Sequence, residues 1–177
     1  MSVSFPATIG TPRLLLRRMM RYDAPALHAM FADAETMRYW SALPHIALAE
    51  TERFVAESIA AMARGDAHDF VVLHEARVIG RVAFWMANEI GFLFDRAHWG
   101  RGFAQEAVTA LLGFGFEALG FRSAKADVDP ENARSLKLLE RLGFQRTGFA
   151  ERTFKLGDRW ADSVYLELAA AAFRRGA

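Results

Sequence analysis

The chain has 177 residues, of which 53% are hydrophobic and 24% are charged, and it contains no cysteine. This length and composition are typical of one globular domain with a substantial core and exclude a disordered chain. The lack of cysteine excludes disulfides, thiolate nucleophiles, zinc ribbons and iron–sulfur clusters. The formal net charge of +1 offers no general basis for nucleic-acid binding.

No targeting or metal-binding pattern is visible either. The N-terminal segment lacks a basic stretch followed by an apolar one, so no secretory signal is expected. The longest nearly apolar stretch, residues 107–116, is far shorter than the roughly 20 residues that cross a bilayer. The five histidines form neither an HxH nor an HExxH pair. We therefore expect a single cytoplasmic domain over residues 1–177 that binds no membrane, nucleic acid or metal.

The first half of the chain is predicted to hold a strand, two helices and three strands. A strand over residues 13–18 precedes a helix that begins at Asp23, and a second helix over residues 49–64 ends at Gly65. Residues 70–74 and 78–85 read as a hairpin. Residues 89–95 read as the next strand, with an internal Gly91 that marks a bulge or the close approach of another group.

The second half alternates helices and strands. A loop over residues 99–104 leads into a helix that ends near Gly120, and residues 123–128 form a strand. Asp129 and Pro130 begin a helix that ends at Gly143, and two final strands cover residues 144–155 and 162–168. The order βαα-βββ-α-β-α-ββ predicts an α/β fold, a mixed sheet of about seven strands with helices on both faces.

The loop before the long helix carries two glycines, Gly100 and Gly102. Glycines at this place let the backbone approach an anion, which the first N–H groups of the helix then bind. A dinucleotide-binding GxGxxG pattern is incomplete because Gln105 replaces the third small residue, and no GK[ST] sequence follows. These residues alone leave a phosphate-binding loop and a plain strand-to-helix turn as alternatives.

A second segment separates these alternatives. The sequence NARS at residues 132–135, followed by LGF at residues 142–144, lies downstream of the loop WGRGFA at residues 99–104. Together these motifs resemble the Gcn5-related N-acetyltransferase (GNAT) superfamily. The stretch over residues 89–107 and the sequence RWAD at residues 159–162 resemble its RimJ/RimL subgroup, which acetylates the N-termini of ribosomal proteins. The resemblance extends over nearly the whole chain.

The resemblance implies that acetyl-CoA is the co-substrate. It also implies that the mostly antiparallel sheet splays between its fourth and fifth strands, at residues 89–95 and 123–128. The pyrophosphate is then expected at the glycine loop and the pantetheine arm beside the preceding strand. The cofactor-binding residues implied are Phe92, Leu93, Phe94, Trp99, Gly100, Arg101, Gly102, Phe103, Ala104, Asn132 and Ser135. For Asn132, the alternative is a residue that satisfies the backbone of its own helix.

The implied reaction is direct attack of a primary amine on bound acetyl-CoA, since no cysteine is available to carry the acetyl group. Glu89 is expected as the general base, with a surface carboxylate at a strand end as the alternative. Many family members carry a tyrosine acid where this chain has Leu139. Ser135 is therefore expected to protonate the leaving thiolate, with an exposed helix serine as the alternative. Glu106, on the first turn of the following helix, is expected to interact with the helix dipole or to fix the loop rather than to act as a base.

The acceptor is expected to be a protein N-terminus or a small amine. Tyr39, Trp40, Trp85 and Trp160 are candidates for the wall of its site, although lone tryptophans usually belong to the core. Asp162 is expected either to pair with a cationic acceptor or to cap the last hairpin. A homodimer is expected from the habit of the family. The contrasting interpretation is a non-catalytic acyl-CoA-binding module, because a glycine loop supports binding without turnover.

Overall fold

The computed structural model describes residues 8–174. One sheet of eight strands runs in the order β1-β2-β3-β4-β5-β6-β8-β7. The strands are β1 (Thr8–Gly10), β2 (Leu15–Arg18), β3 (Ala67–His74), β4 (Arg77–Trp85), β5 (Glu89–Phe94), β6 (Ser123–Val128), β7 (Gln145–Leu156) and β8 (Arg159–Ala169). The expected α/β fold with a mixed, mostly antiparallel sheet is confirmed. One strand is added to the seven expected because residues 8–10 pair with β2.

Helices cover both faces of this sheet, as predicted. They are α1 (Ala24–Phe31), α2 (Leu48–Arg64), α3 (Phe103–Glu117) and α4 (Ala133–Arg141). The larger core cluster joins Leu112 of α3 and Leu139 of α4 to the sheet. The smaller one joins Phe31 of α1 and Val55 of α2 to Leu93 of β5. Within residues 8–174, none of the helices combines the length and apolar character that a membrane span needs.

Strands β5 and β6 run parallel but separate almost at once. Among the described residues, Glu89 and Lys125 are the single pair in register between them, and the amide of Lys125 donates to the carbonyl of Asn88 (2.9 Å). On its other side, β5 stays paired with β4 along its whole length. The two strands therefore diverge toward Phe94 and Val128, which confirms the predicted splay.

The start of α4 differs from the prediction. Asp129 and Pro130 form a turn rather than the first helical turn, because the Asp129 carboxylate accepts a hydrogen bond from the amide of Glu131 (2.9 Å). Asn132 is the N-cap residue, and its side-chain oxygen accepts from the amide of Ser135 (3.2 Å). The helix thus begins at Ala133, with its first turn facing the gap between β5 and β6.

Candidate active site

A cleft of about 940 Å³ opens where β5 and β6 diverge. Its walls are the end of β5, the glycine loop, the start of α3, the first turns of α4 and the segment after α1. All the expected cofactor-binding residues except Arg101 line this cleft: Phe92, Leu93, Phe94, Trp99, Gly100, Gly102, Phe103, Ala104, Asn132 and Ser135. Arg101 instead lies over the ring of Phe103, 4.9 Å from its centroid. The fold therefore joins the two motif segments in one site.

In strand β5, the backbone N–H and C=O groups of every second residue point toward the cleft. The amide of Asp95 donates to the carbonyl of Ile79 (2.9 Å), and antiparallel ladders repeat such bonded pairs at every second residue. The backbone of Leu93 is therefore bonded to β4, whereas the N–H and C=O groups of Phe92 and the N–H of Phe94 turn toward the gap, and the C=O of Phe94 accepts a hydrogen bond from Trp99. An extended ligand arm in the gap would meet the backbone of Phe92 and Phe94 but only the side chain of Leu93.

The glycine loop leads directly into the N-terminus of α3. Gly100 and Gly102 have φ values of +73° and +78°, a left-handed conformation that suits glycine. Gly102 is the N-cap residue, and α3 begins at Phe103. The indole N–H of Trp99 donates to the carbonyl of Phe94 (2.8 Å), which pins the loop to the end of β5. The first N–H groups of a helix lack intrahelical partners, so this end of the cleft suits an anion.

Basic side chains dominate the outer walls of the cleft. They are Arg38, Arg96, Arg134, Lys137 and Arg141, against Glu35 and Glu131. The guanidinium of Arg134 lies 4.6 Å from the centroid of the Trp99 ring, beside the glycine loop. An excess of positive charge around a narrow opening favours a ligand with several phosphates. The spacing of Arg134, Lys137 and Arg141 along one helix is visible in the sequence and indicates a basic helix face.

Glu106 holds the glycine loop in place through hydrogen bonds, as expected. Its carboxylate accepts hydrogen bonds from the hydroxyl of Thr11 (2.6 Å), the amide of Arg13 (2.9 Å) and Nε of Arg13 (2.7 Å). Arg13 also donates to the carbonyl of Arg101 (3.0 Å). Burial on its own would raise the pKa of Glu106, but the hydrogen bonds from Thr11 and Arg13 hold this pKa below its ordinary value. Glu106 therefore ties the segment before β2 to the loop.

We expect Glu106→Gln to lower the free energy of unfolding by about 1 to 2 kcal/mol at neutral pH, because an amide replaces a charged acceptor of three hydrogen bonds. A lowered pKa stabilises the fold above the unfolded value of 4.5 and loses that effect as pH falls through the folded value. The difference from wild type should therefore shrink below pH 4.5. Denaturant unfolding across pH measures it, with exposed Glu52→Gln as the control. An equal loss in both variants would contradict the role.

The first turns of α4 present Asn132 and Ser135 to the cleft. Asn132 caps its own helix, which is the alternative considered for it, and it also lines the cleft. Ser135 is half-buried there. Leu139, one turn later, is completely buried in the core, so this position supplies no acid. Ser135 thus places a hydroxyl of α4 at the cleft.

Glu89 does not line the cleft. Its carboxylate accepts a hydrogen bond from the indole N–H of Trp85 (3.2 Å). It lies instead in a smaller cavity of about 290 Å³, here called the polar depression, beside the closed end of the splay. The polar depression is lined by Glu89, Lys125, Ala126, Asp127, Thr147, Gly148, Tyr165, Leu166 and Glu167. Within residues 8–174, no group of three His, Asp or Glu side chains is placed to hold a metal ion.

Trp40 covers β5 on the face that carries α1 and α2. Its ring lies 3.8 Å from where a side chain at Gly91 would begin, so Gly91 marks a close approach and β5 shows no bulge there. The buried guanidinium of Arg81 lies 5.4 Å from the Trp40 ring and 5.1 Å from that of Phe54. Asp69, also buried, forms two hydrogen bonds with Arg81. Sequence inspection missed Arg81 and Asp69, because strand pairing alone brings them together.

The other acceptor-site candidates are dispersed. Tyr39 lines the cleft next to Trp40, whereas Trp85 and Trp160 are exposed elsewhere on the surface. Asp162 accepts a hydrogen bond from the amide of Arg152 (2.8 Å), where β7 departs from regular register with β8. Asp162 therefore fastens this irregular segment of the last hairpin.

Comparison with known proteins agrees with this geometry. Residues 13–145 match the family described as acetyltransferase (GNAT) domain. Over 167 residues, the chain is 35% identical to the uncharacterized N-acetyltransferase p20 of Bacillus licheniformis, and the alignment covers 90% of this chain and 93% of that protein.

Two solved structures share the fold. RimJ of Mycobacterium smegmatis, in complex with CoA-disulfide, superposes with a TM-score of 0.87 at 22% identity, covering 96% of this chain and 90% of that one. Spermidine N-acetyltransferase of Vibrio cholerae, in complex with CoA and spermine, superposes with a TM-score of 0.81 at 23% identity, covering 92% and 98%. The family match, the relative at 35% identity and the cleft agree. The chain belongs to the GNAT acetyltransferase family.

Proposed function

We propose that the protein transfers the acetyl group of acetyl-CoA directly to a primary amine, with both substrates bound at the splay between β5 and β6. The observation that carries this proposal is the cleft itself. A glycine loop at a helix N-terminus, the free edge of β5 and the first turn of α4 line one opening. This arrangement offers N–H groups and positive charge to a pyrophosphate and strand-like hydrogen bonds to a pantetheine arm.

The thioester needs orientation more than activation. Backbone groups of Phe92 and Phe94 would hold the arm, and one of their N–H groups would stabilise the negative charge that develops on the thioester oxygen. The ammonium of the acceptor first loses a proton, and the free amine then forms the C–N bond. As the C–S bond breaks, the thiolate takes up a proton and the new amide nitrogen loses one. One acetylated amine, one free CoA thiol and one proton result.

Two side-chain roles complete the proposal. Ser135 would donate the proton to the departing sulfur and regain one from the nitrogen of the intermediate. A carboxylate of the polar depression would take the first proton from the ammonium, and Glu89 is the one that the sequence motif proposes.

We expect Ser135→Ala to lower kcat about tenfold, since a thiolate is a good leaving group and needs only modest acid assistance. The KM for acetyl-CoA should change little, because Asn132 and the loop remain. Steady-state kinetics at saturating acetyl-CoA measures this, with Ser58→Ala, in the middle of α2, as the matched control. An unchanged kcat in Ser135→Ala would remove the hydroxyl from the mechanism.

The charges of the polar depression favour a cationic acceptor. Glu89, Asp127 and Glu167 face a single ammonium group, that of Lys125. An excess of carboxylates attracts a molecule with more than one positive charge. We therefore propose a small polyamine as the acceptor, and a peptide with a free N-terminus is the comparison to be made beside it.

Release of the CoA thiol from acetyl-CoA in the presence of a panel of amines tests this function. We expect turnover with spermidine or spermine and less with short peptides. Turnover with peptides alone would overturn the polyamine proposal but retain the acetyltransferase. Tight CoA binding without thiol release on any amine would instead favour the non-catalytic acyl-CoA-binding module.

A further inference from the structure

We propose that Asp127, rather than Glu89, takes the proton from the acceptor ammonium. This inference rests on the proposed acetyl transfer and assigns its base. The carboxylate accepts one proton from the ammonium, which leaves the nitrogen lone pair free to attack the thioester carbon. The protonated Asp127 then returns its proton to solvent after the product leaves.

The strand register places Asp127 where the gap begins. Glu89 and Lys125 form the last pair between β5 and β6, at the closed end. Two residues further along each strand, Gly91 and Asp127 occupy corresponding positions on the opposite sides of the opening. A thioester held by the backbone of Phe92 would lie beside these two positions, where the ring of Trp40, 3.8 Å from where a side chain at Gly91 would begin, bounds the space.

The side chain of Asp127 lies on the face from which an acceptor can enter. Ala126 and Val128 point into the core beneath α3 and α4, and alternate residues of a strand point to opposite faces. Asp127 therefore shares the face of α1 and α2 with Leu93, which packs in the core cluster of those helices. On this face β6 and β8 carry the polar depression, and the cofactor loop lies at the other end of the cleft.

The environment of Asp127 increases the proton affinity of its carboxylate, which suits a base. Partial burial of its carboxyl raises the pKa of Asp127, and a hydrogen bond from Ser163 offsets only part of the rise. The groups that face it are Glu89 from β5, Lys125 from its own strand, and Tyr165 and Glu167 from β8. A raised carboxyl pKa makes the folded state less stable as pH rises. The ionised carboxylate of Asp127 therefore lowers the stability of the folded state at neutral pH. Catalytic groups commonly have this effect.

Glu89 is less suited to this step. It belongs to the pair that closes the splay, and its carboxylate already accepts the indole N–H of Trp85. Its motif position predicts a base only if the thioester reaches the closed end of the gap. The register places Asp127 two residues nearer to the opening than Glu89.

The test compares Asp127→Asn with Glu89→Gln, using spermidine and a short peptide as acceptors at saturating acetyl-CoA. We expect Asp127→Asn to lower kcat/KM for the acceptor about 100-fold, with CoA affinity unchanged and stability at neutral pH no lower than that of wild type. The residual kcat/KM of Asp127→Asn should rise tenfold for each unit of increase in pH. Without a base in the site, the reaction depends on the fraction of acceptor that is already deprotonated in solution. The kcat/KM of the wild-type enzyme should instead reach a plateau at pH values above the pKa of Asp127. Glu89→Gln should raise the KM for spermidine, because it removes one carboxylate of the polar depression, but it should lower kcat far less than Asp127→Asn does and keep that plateau.

Two results would overturn the inference. One is an Asp127→Asn rate within threefold of wild type; the other is a 100-fold loss confined to Glu89→Gln. Asp127→Ser provides a second variant, and CoA titration shows that each variant is folded. If wild type itself releases no thiol with any amine, the proposed function fails. If wild type turns over and Asp127→Asn equals it, only the assignment of the base fails.

Discussion

Gly102→Val is expected to weaken CoA binding by about 100-fold, or about 2.8 kcal/mol, while the fold persists. Gly102 has a φ of +78° at the N-cap of α3, where a β-branched residue is strained. A side chain there would begin 3.3 Å from Nη2 of Arg13, and Arg13 is held by Glu106 and the carbonyl of Arg101. The substitution therefore disturbs the loop and crowds the space that the pyrophosphate needs.

Gly120→Val is the matched control for this prediction. Gly120 has a φ of +70°, but a side chain there meets nothing within 4 Å and lies beyond the far end of α3. Both variants should lose about 1 to 3 kcal/mol of stability from backbone strain, and only Gly102→Val should lose CoA affinity. Calorimetric titration with CoA and denaturant unfolding separate the two effects. Wild-type affinity in Gly102→Val would show that the loop does not bind the cofactor.

Asp69→Asn is expected to lower the free energy of unfolding by about 3 to 5 kcal/mol. Asp69 is 2% exposed and Arg81 6% exposed, and they are joined by hydrogen bonds of 3.1 and 2.5 Å. Neutralising the aspartate leaves the guanidinium buried without its counterion, which costs far more than a surface pair contributes. For a chain of this length, the melting temperature should fall by roughly 10 °C. Since Arg81 stacks on Trp40, the KM for the acceptor should also rise.

The surface pair of Arg64 and Asp66 provides the control. Its separation is 2.7 Å, similar to that of the buried pair, but both side chains are more than half exposed. Asp66→Asn should therefore cost less than about 1 kcal/mol. The double variant Asp69→Leu/Arg81→Met should recover part of the loss, because it leaves no charge in the core. Equal melting temperatures for Asp69→Asn and Asp66→Asn would contradict the account of the buried pair.

Local patterns were sufficient for much of the fold. The strand predicted over residues 123–128 is β6 at its observed bounds, and Gly65 ended α2 as expected. The strand at Thr8–Gly10 was missed because three residues are too few for a period to appear. The start of α4 was misplaced because Asp129 uses its side chain in a turn and leaves the cap to Asn132.

In the candidate site too, local patterns predict some residues and miss others. The glycine loop and Asn132 are read from motifs that are contiguous in the chain. Arg81, Asp69 and Asp127 acquire their surroundings from strand pairing, which no local pattern reveals. The alternating position of Asp127 indicates which face it occupies, but only the single pair between β5 and β6 shows that it borders the gap.

Direct transfer of an acetyl group from acetyl-CoA to an amine can be followed by mass spectrometry of a single turnover. Excess enzyme, acetyl-CoA with an isotopically labelled acetyl group, and spermidine would be mixed, quenched and analysed for every acetyl-containing species. Direct transfer predicts one labelled acetyl-amine for each CoA released, with the protein mass unchanged throughout. A labelled acetyl group on the protein, or CoA bound without any acetylated amine across the panel, would contradict it.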